Sequence, residues 1–144
     1  MERLLLKDLA GGSGWYNGWY FRSLRELSYV INVLEYYNKK WQSAEKDIII
    51  EYIDYNGQKR TYRADFLVEN KELIEVKPKK LMESPSNILK KRAAEEYCKN
   101  NNLIYKMVDV KILSKEELLE LYNNKKIKFI KKWDLIFREK YLKT

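Results

Sequence analysis

No histidine occurs anywhere in the 144-residue chain. That removes triads built on a histidine base, histidine-ligated zinc, and the histidine general base of HNH-type nucleases. Cys98 is the only cysteine, so there is neither an internal disulfide nor a cysteine zinc cluster, and any metal must be held by oxygen. No apolar run approaches the ~20 residues of a membrane-spanning helix. The opening MERLLLKDLAGG has too short an apolar stretch for a secretory signal and lacks the Arg/Ser-rich character of a transit peptide. The expectation is a cytoplasmic protein without a membrane partner.

What is present describes a globular chain: 45% hydrophobic and 35% charged residues, enough for one core. The length predicts a single domain over residues 1–144, with a main body near 20–110 and a basic, aromatic C-terminal extension near 114–144. Twenty-nine Lys and Arg against twenty-one Asp and Glu give a net charge of +8, which favours an anionic partner such as nucleic acid or an acidic membrane surface.

Residues 11–20, GGSGWYNGWY, read as a glycine-rich aromatic loop that covers the core or stacks on unpaired bases. From Arg22 to about Asn38, Leu24, Leu27, Ile31 and Leu34 recur at helical spacing. IIIEYIDY at 48–55 is strand-like and is followed by the hairpin dipeptide Asn56-Gly57. A second strand is expected from Lys59 through Val68, and a third over Leu73 to Lys77 that stops at Pro78. A helix follows, opened by Ser84 or Ser86, with Leu89, Ala93, Ala94, Tyr97 and Cys98 on its apolar face. Then come a fourth strand from Leu103 to Val110 and a capping box at Ser114–Glu117. In the tail, Phe129, Trp133, Phe137 and Tyr141 fall at four-residue spacing, as an aromatic stripe on one helical face that docks on the domain or on a second copy.

The stretch YRADFLVENKELIEVKPKK, residues 62–80, places charged residues in the middle of two strands. Side chains alternate along a strand, so Phe66 and Val68 face one side and Asp65 and Leu67 the other, while Ile74 and Val76 oppose Leu73, Glu75 and Lys77. Matching the apolar sets gathers Asp65, Glu75 and Lys77 on one face. This requires an odd number of loop residues, because a two-residue turn at Asn70-Lys71 would pair Asp65 with Val76. Two carboxylates about 5 Å apart on neighbouring strands can share a divalent cation, and magnesium suits such a site because it takes few carboxylates and keeps waters and phosphate oxygens. A lysine beside them can orient a water or stabilise charge in the transition state of phosphodiester hydrolysis. The same three residues also fit the polar face of an amphipathic hairpin, with no chemistry.

Asp65 with Glu75-Val76-Lys77 resembles the PD-(D/E)XK, or restriction-endonuclease-like, nuclease superfamily. Tyr20-Phe-Arg-Ser-Leu-Arg-Glu26 is similar to a Y/F-R-S-x-x-E segment of phage- and transposon-encoded members. Glu45, the IIIEY strand, Gly57, Tyr62, Asp65–Val68 and Glu75–Pro78 follow in the expected order, so the resemblance covers about residues 20–109. Ala64 stands where the family name has proline. The resemblance implies an α/β fold, a mixed sheet of about four strands flanked by helices. It also implies Mg²⁺ or Mn²⁺ held by Asp65, Glu75 and the Val76 carbonyl, a water-positioning Lys77, and an assisting Glu26. Glu26 has a structural alternative, since Ser23–Glu26 also reads as a capping box. In related nucleases a residue from the helix after the catalytic strands points into the site, a part open to Lys90 or Lys91, and Glu45 is a further accessory candidate. The implied function is metal-dependent DNA endonuclease, in a phage or mobile-element setting such as head completion, homing or recombination. One site cutting two strands favours a homodimer or successive nicks. The competing expectation is a non-catalytic nucleic-acid-binding or assembly protein that uses the charge, the aromatic loop and the basic tail.

Overall fold

The computed structural model describes residues 9–142. The chain divides into two compact units, one built from residues up to 33 together with those from 111 onward, the other from residues 34–110. Among the described residues no helix is long and apolar enough to cross a membrane.

The first unit joins segments from both ends of the sequence. Strands β1 (Gly14–Tyr16) and β2 (Trp19–Phe21) form a hairpin, so residues 11–20 are not the loop expected. The reason is Asn17-Gly18, with φ of 49° and 78°, a positive pair that suits the twist of a two-residue hairpin turn. β9 (Ile127–Phe129) pairs antiparallel with the other edge of β1. Gly14 makes that approach feasible: a Cβ there would meet the Lys128 carbonyl oxygen and stand 2.8 Å from Phe129 Cα. Helix α1 (Leu24–Tyr29) continues as π-helical turns over Val30–Glu35. Ser28 ties it to the C-terminal part, its hydroxyl donating to Leu24 O and accepting the Leu113 N–H. Helix α2 (Pro85–Asn100) belongs to the second unit. α3 (Lys115–Asn123) and α4 (Lys131–Phe137) complete the first, α3 opening with the expected capping box at Ser114 and Glu117.

The core of this unit gathers Phe21, Leu24, Leu27, Leu113, Leu118, Phe129, Phe137 and Tyr141. The aromatic tail therefore docks on its own chain, as expected, but not as one helical stripe: Phe129 lies on β9, Phe137 ends α4, and Tyr141 follows on a π-helical turn. The even spacing in sequence conceals a change of backbone at Ile130, which precedes α4 in an extended conformation.

The second unit is built around a four-stranded mixed sheet in the order β3-β6-β7-β8: β3 (Trp41–Ser43), β6 (Phe66–Val68), β7 (Glu72–Val76) and β8 (Ile104–Val108). β7 and β8 run parallel, and α2 makes the crossover between them, as parallel neighbours require. The hairpin β4 (Ile50–Ile53) and β5 (Lys59–Tyr62) forms a separate two-stranded sheet. A continuous strand from Lys59 to Val68 was expected; instead the chain leaves β5 at Tyr62 and joins a different sheet at Phe66. The break falls at Arg63-Ala64-Asp65, where Ala64 is fully buried.

β6 and β7 pair Phe66 with Ile74 and Val68 with Glu72, which leaves Glu69, Asn70 and Lys71 in the loop, an odd number as predicted. Glu69 and Asn70 take φ of 54° and 51°. Leu73 and Leu67 on one side of this hairpin join Tyr62, Ile50, Ala94 and Cys98 in a cluster, so α2 and the β4–β5 hairpin cover the face that carries the acids. That face is not the solvent-facing side of an amphipathic hairpin. Leu73, Ile74, Glu75 and Val76 are all buried.

Candidate active site

Asp65 sits at the break between β5 and β6 and is fixed from three directions. Its backbone N–H donates to Ile74 O at 3.1 Å, and its carbonyl accepts the Ala44 N–H at 3.0 Å. Its carboxylate Oδ2 accepts the Val76 N–H at 2.8 Å. One acid of the expected pair is thus bound to the backbone of the strand carrying the other.

The Ala44–Asp65 bond also delivers Glu45. The next residue after Ala44, it has its own carbonyl accepting from Arg63 Nη1 at 3.0 Å, and it places a carboxylate oxygen within 4.8 Å of one from Asp65. The resemblance offered Glu45 only as an accessory, and the structure brings its carboxylate close to that of Asp65 within the same unit.

Glu75 lies mid-strand on β7 and is buried. Its Oε1 accepts from the Tyr62 hydroxyl at 2.8 Å, and the Tyr62 and Tyr105 hydroxyls lie 2.7 Å apart. A phenol has one proton; with Tyr62 donating to Glu75, Tyr105 must donate to Tyr62. The order Tyr105, Tyr62, Glu75 is therefore directional. Burial raises the Glu75 carboxyl above the usual range, opposed by the Tyr62 hydrogen bond and by the charges of Lys77 and Lys90, while Glu45 adds to the rise. Burial is also the main cause that pushes both tyrosine hydroxyls upward, so neither phenol ionises near neutral pH.

Lys77 lies on the same side as Glu75, its Nζ 3.7 Å from Oε2, with about a quarter of its side chain exposed. Lys90 on α2 places its ammonium 5.8 Å from the centre of the Tyr62 ring. Lys91, one position on, is exposed, so the structure separates the two helix candidates. Glu26 belongs to the first unit. It is buried, its N–H donates to Ser23 Oγ and its Oε2 accepts from the same hydroxyl, both at 3.1 Å. The Ser23 half of the expected capping box is therefore present, while the Glu26 carboxylate turns to the Ser23 side chain.

Within the second unit, Asp65, Glu45, Glu75 and Lys77 are thus brought to one end of the β6–β7 hairpin, and the Val76 carbonyl belongs to the same short segment. Two hard oxygen donors within 4.8 Å, a third acid beside them and cations nearby fit a magnesium-like ion, which prefers oxygen ligands and shares its sphere with water. The sequence reasoning missed Tyr62 and Tyr105 as partners of Glu75. Tyr62 was marked only by its place in the family order, and nothing local marked Tyr105.

Residues 32–109 match a family model described as the N-terminal domain of TnsA-like endonucleases. No significant match occurs to a curated protein or to a solved structure. The matched stretch spans just over half the chain and is nearly coextensive with the second unit, and its mixed sheet flanked by helices agrees with a restriction-endonuclease-like fold.

Proposed function

We propose that this chain, which belongs to the TnsA-like endonuclease N-terminal family, is a metal-dependent DNA endonuclease of mobile-element or phage type. The observation that carries the reading is the meeting of Glu45 and Asp65 within 4.8 Å beside Glu75 and Lys77, themselves 3.7 Å apart. Asp65, Glu75 and the Val76 carbonyl would hold Mg²⁺ or Mn²⁺, with Glu45 as an added oxygen ligand. A cation bound there neutralises the scissile phosphate and lowers the pKa of a bound water.

The chain's own residues do the rest. The Val76 N–H fixes the orientation of Asp65, and Tyr62 fixes that of Glu75. Lys77, partly exposed, orients the attacking water and stabilises charge on the phosphate as it builds up. Lys90 adds positive potential over Tyr62. Burial excludes bulk water from the inner side of the cluster. One such site cuts one strand, so a double-strand break takes two copies or two nicks.

Hydrolysis of this type leaves a 5′-phosphate and a 3′-hydroxyl. The products test it: nicks made in plasmid DNA with Mg²⁺ are expected to be sealed by DNA ligase without end repair. Calorimetric titration with Mn²⁺ is expected to show binding that Asp65→Ala abolishes. Unsealable nicks, or equal Mn²⁺ affinity in the variant, contradict the assignment.

A further inference from the structure

Beyond the matched stretch, the end of α3, strand β9 and helix α4 line an open hollow of about 690 Å³, within the size range of ligand pockets. Lys125, Lys128, Lys131 and Arg138 face it with a single carboxylate, Asp134. That carboxylate is already engaged. Arg138 Nε lies 2.9 Å from Asp134 Oδ2 and donates to the Tyr122 hydroxyl at 2.8 Å, and the Tyr122 O–H donates to Asp134 Oδ1 at 2.7 Å. The triangle is backed by the core, since the Tyr122 ring packs 4.7 Å from that of Phe137 and stacks 6.3 Å from that of Phe129.

Arg138 is thereby held in place before any ligand arrives, although its side chain is more than half exposed. Both contacts run through Nε, which leaves the paired Nη donors at the end of the fork. A guanidinium so placed matches two oxygens of one phosphate, and little side-chain entropy remains to be lost. The three lysines, exposed and spaced at three-residue intervals across β9 and the start of α4, suit a polyanion better than a single ion. β9 is an edge strand, and lysine on an edge discourages pairing with an added peptide strand, so the charge pattern favours a phosphate backbone over a peptide.

We infer that this hollow is a second, non-catalytic nucleic-acid contact: Arg138 grips one backbone phosphate through its Nη groups, and Lys125, Lys128 and Lys131 neutralise the neighbouring phosphates. The choice of DNA rests on the nuclease reading. The anion chemistry does not.

The test is fluorescence anisotropy with a labelled 20-base-pair duplex and the matching single strand, in EDTA so that nothing is cut. Removing three phosphate contacts with Lys125→Gln, Lys128→Gln and Lys131→Gln together is expected to lower the slope of log affinity against log salt by about 3 and to weaken duplex binding on the order of 100-fold at 0.15 M salt. Arg138→Lys, which keeps the charge but loses the fork, is expected to weaken it about tenfold. An unchanged dissociation constant and slope in the triple variant overturn the inference, as does tighter binding to vesicles containing phosphatidylserine than to either DNA. If plasmid is never nicked yet the lysine and arginine variants lose DNA, this inference stands without the nuclease reading. If plasmid is nicked while their affinities are unchanged, the nuclease reading stands alone.

Discussion

A carboxylate buried in the middle of a central strand is costly unless it is hydrogen-bonded and near positive charge, and Glu75 has both a tyrosine donor and Lys77. Strand alternation was enough to predict that Asp65, Glu75 and Lys77 share a face. It could not reveal Tyr62 and Tyr105, because these stand on β5 and β8, in different sheets, and only the folded chain brings their hydroxyls together. Tyr62→Phe removes one proton donor and little volume, so the fold is expected to persist with a loss of about 1–2 kcal/mol. Mn²⁺ affinity by calorimetry is expected to fall at least tenfold, the usual effect of losing a residue that orients a metal ligand; unchanged affinity would show that Tyr62 merely fills space. The raised Glu75 pKa has a signed consequence. Burial, its largest cause, makes the native protein hold a proton that the unfolded chain has already lost. Metal-free stability therefore falls as pH rises from the ordinary glutamate value of 4.5 through the native one. Urea unfolding across this window in EDTA is expected to show the fall in wild type and its absence in Glu75→Gln; a wild-type curve no steeper than the variant's would refute it.

At the scale of elements, the β6–β7 hairpin was the most legible part of the chain, because only an odd loop reconciles its apolar alternation with its acids. Glu69 and Asn70 accept positive φ there, asparagine at small cost. Asn70→Val is expected to destabilise the protein by about 1–2 kcal/mol, read as a lower Tm, whereas Asn70→Gly is expected to be neutral or better. If valine is as well tolerated as glycine, the loop does not hold the register. Two neighbouring elements were harder to read for opposite reasons. Asn17-Gly18 carries the same hairpin dipeptide as Asn56-Gly57, but lies among glycines and aromatics that resemble a loop, and the strands it joins have three residues each. The run from Lys59 to Val68 shows no glycine or proline to mark a break, yet the chain changes sheets at Asp65, the residue on which the site depends. The break is set by what Asp65 bonds to, not by local propensity.

On the scale of the molecule, the family match and the four-stranded mixed sheet coincide in the second unit, whereas the first unit draws its core from both ends of the sequence. That division was not legible in composition, because charge and aromatic residues run through both units; it depends on β1 pairing with β9 across more than a hundred residues of chain. The basic tail was visible in sequence as a stripe, but its cations gather around a pocket only because Phe129, Phe137 and Tyr141 turn inward and leave Lys128, Lys131 and Arg138 outside. We propose that the acids at the end of the β6–β7 hairpin cut DNA with a divalent cation. The most direct measurement is conversion of supercoiled plasmid to nicked circles by wild type, Asp65→Ala and Lys77→Ala, each with Mg²⁺, with Mn²⁺ and with EDTA. Wild type is expected to nick with either metal and not in EDTA, with the rate reduced by at least about 100-fold in both variants, the scale of losing an electrostatic or acid–base contribution to catalysis. Intact plasmid under every condition, or wild-type rates in either variant, would contradict the account.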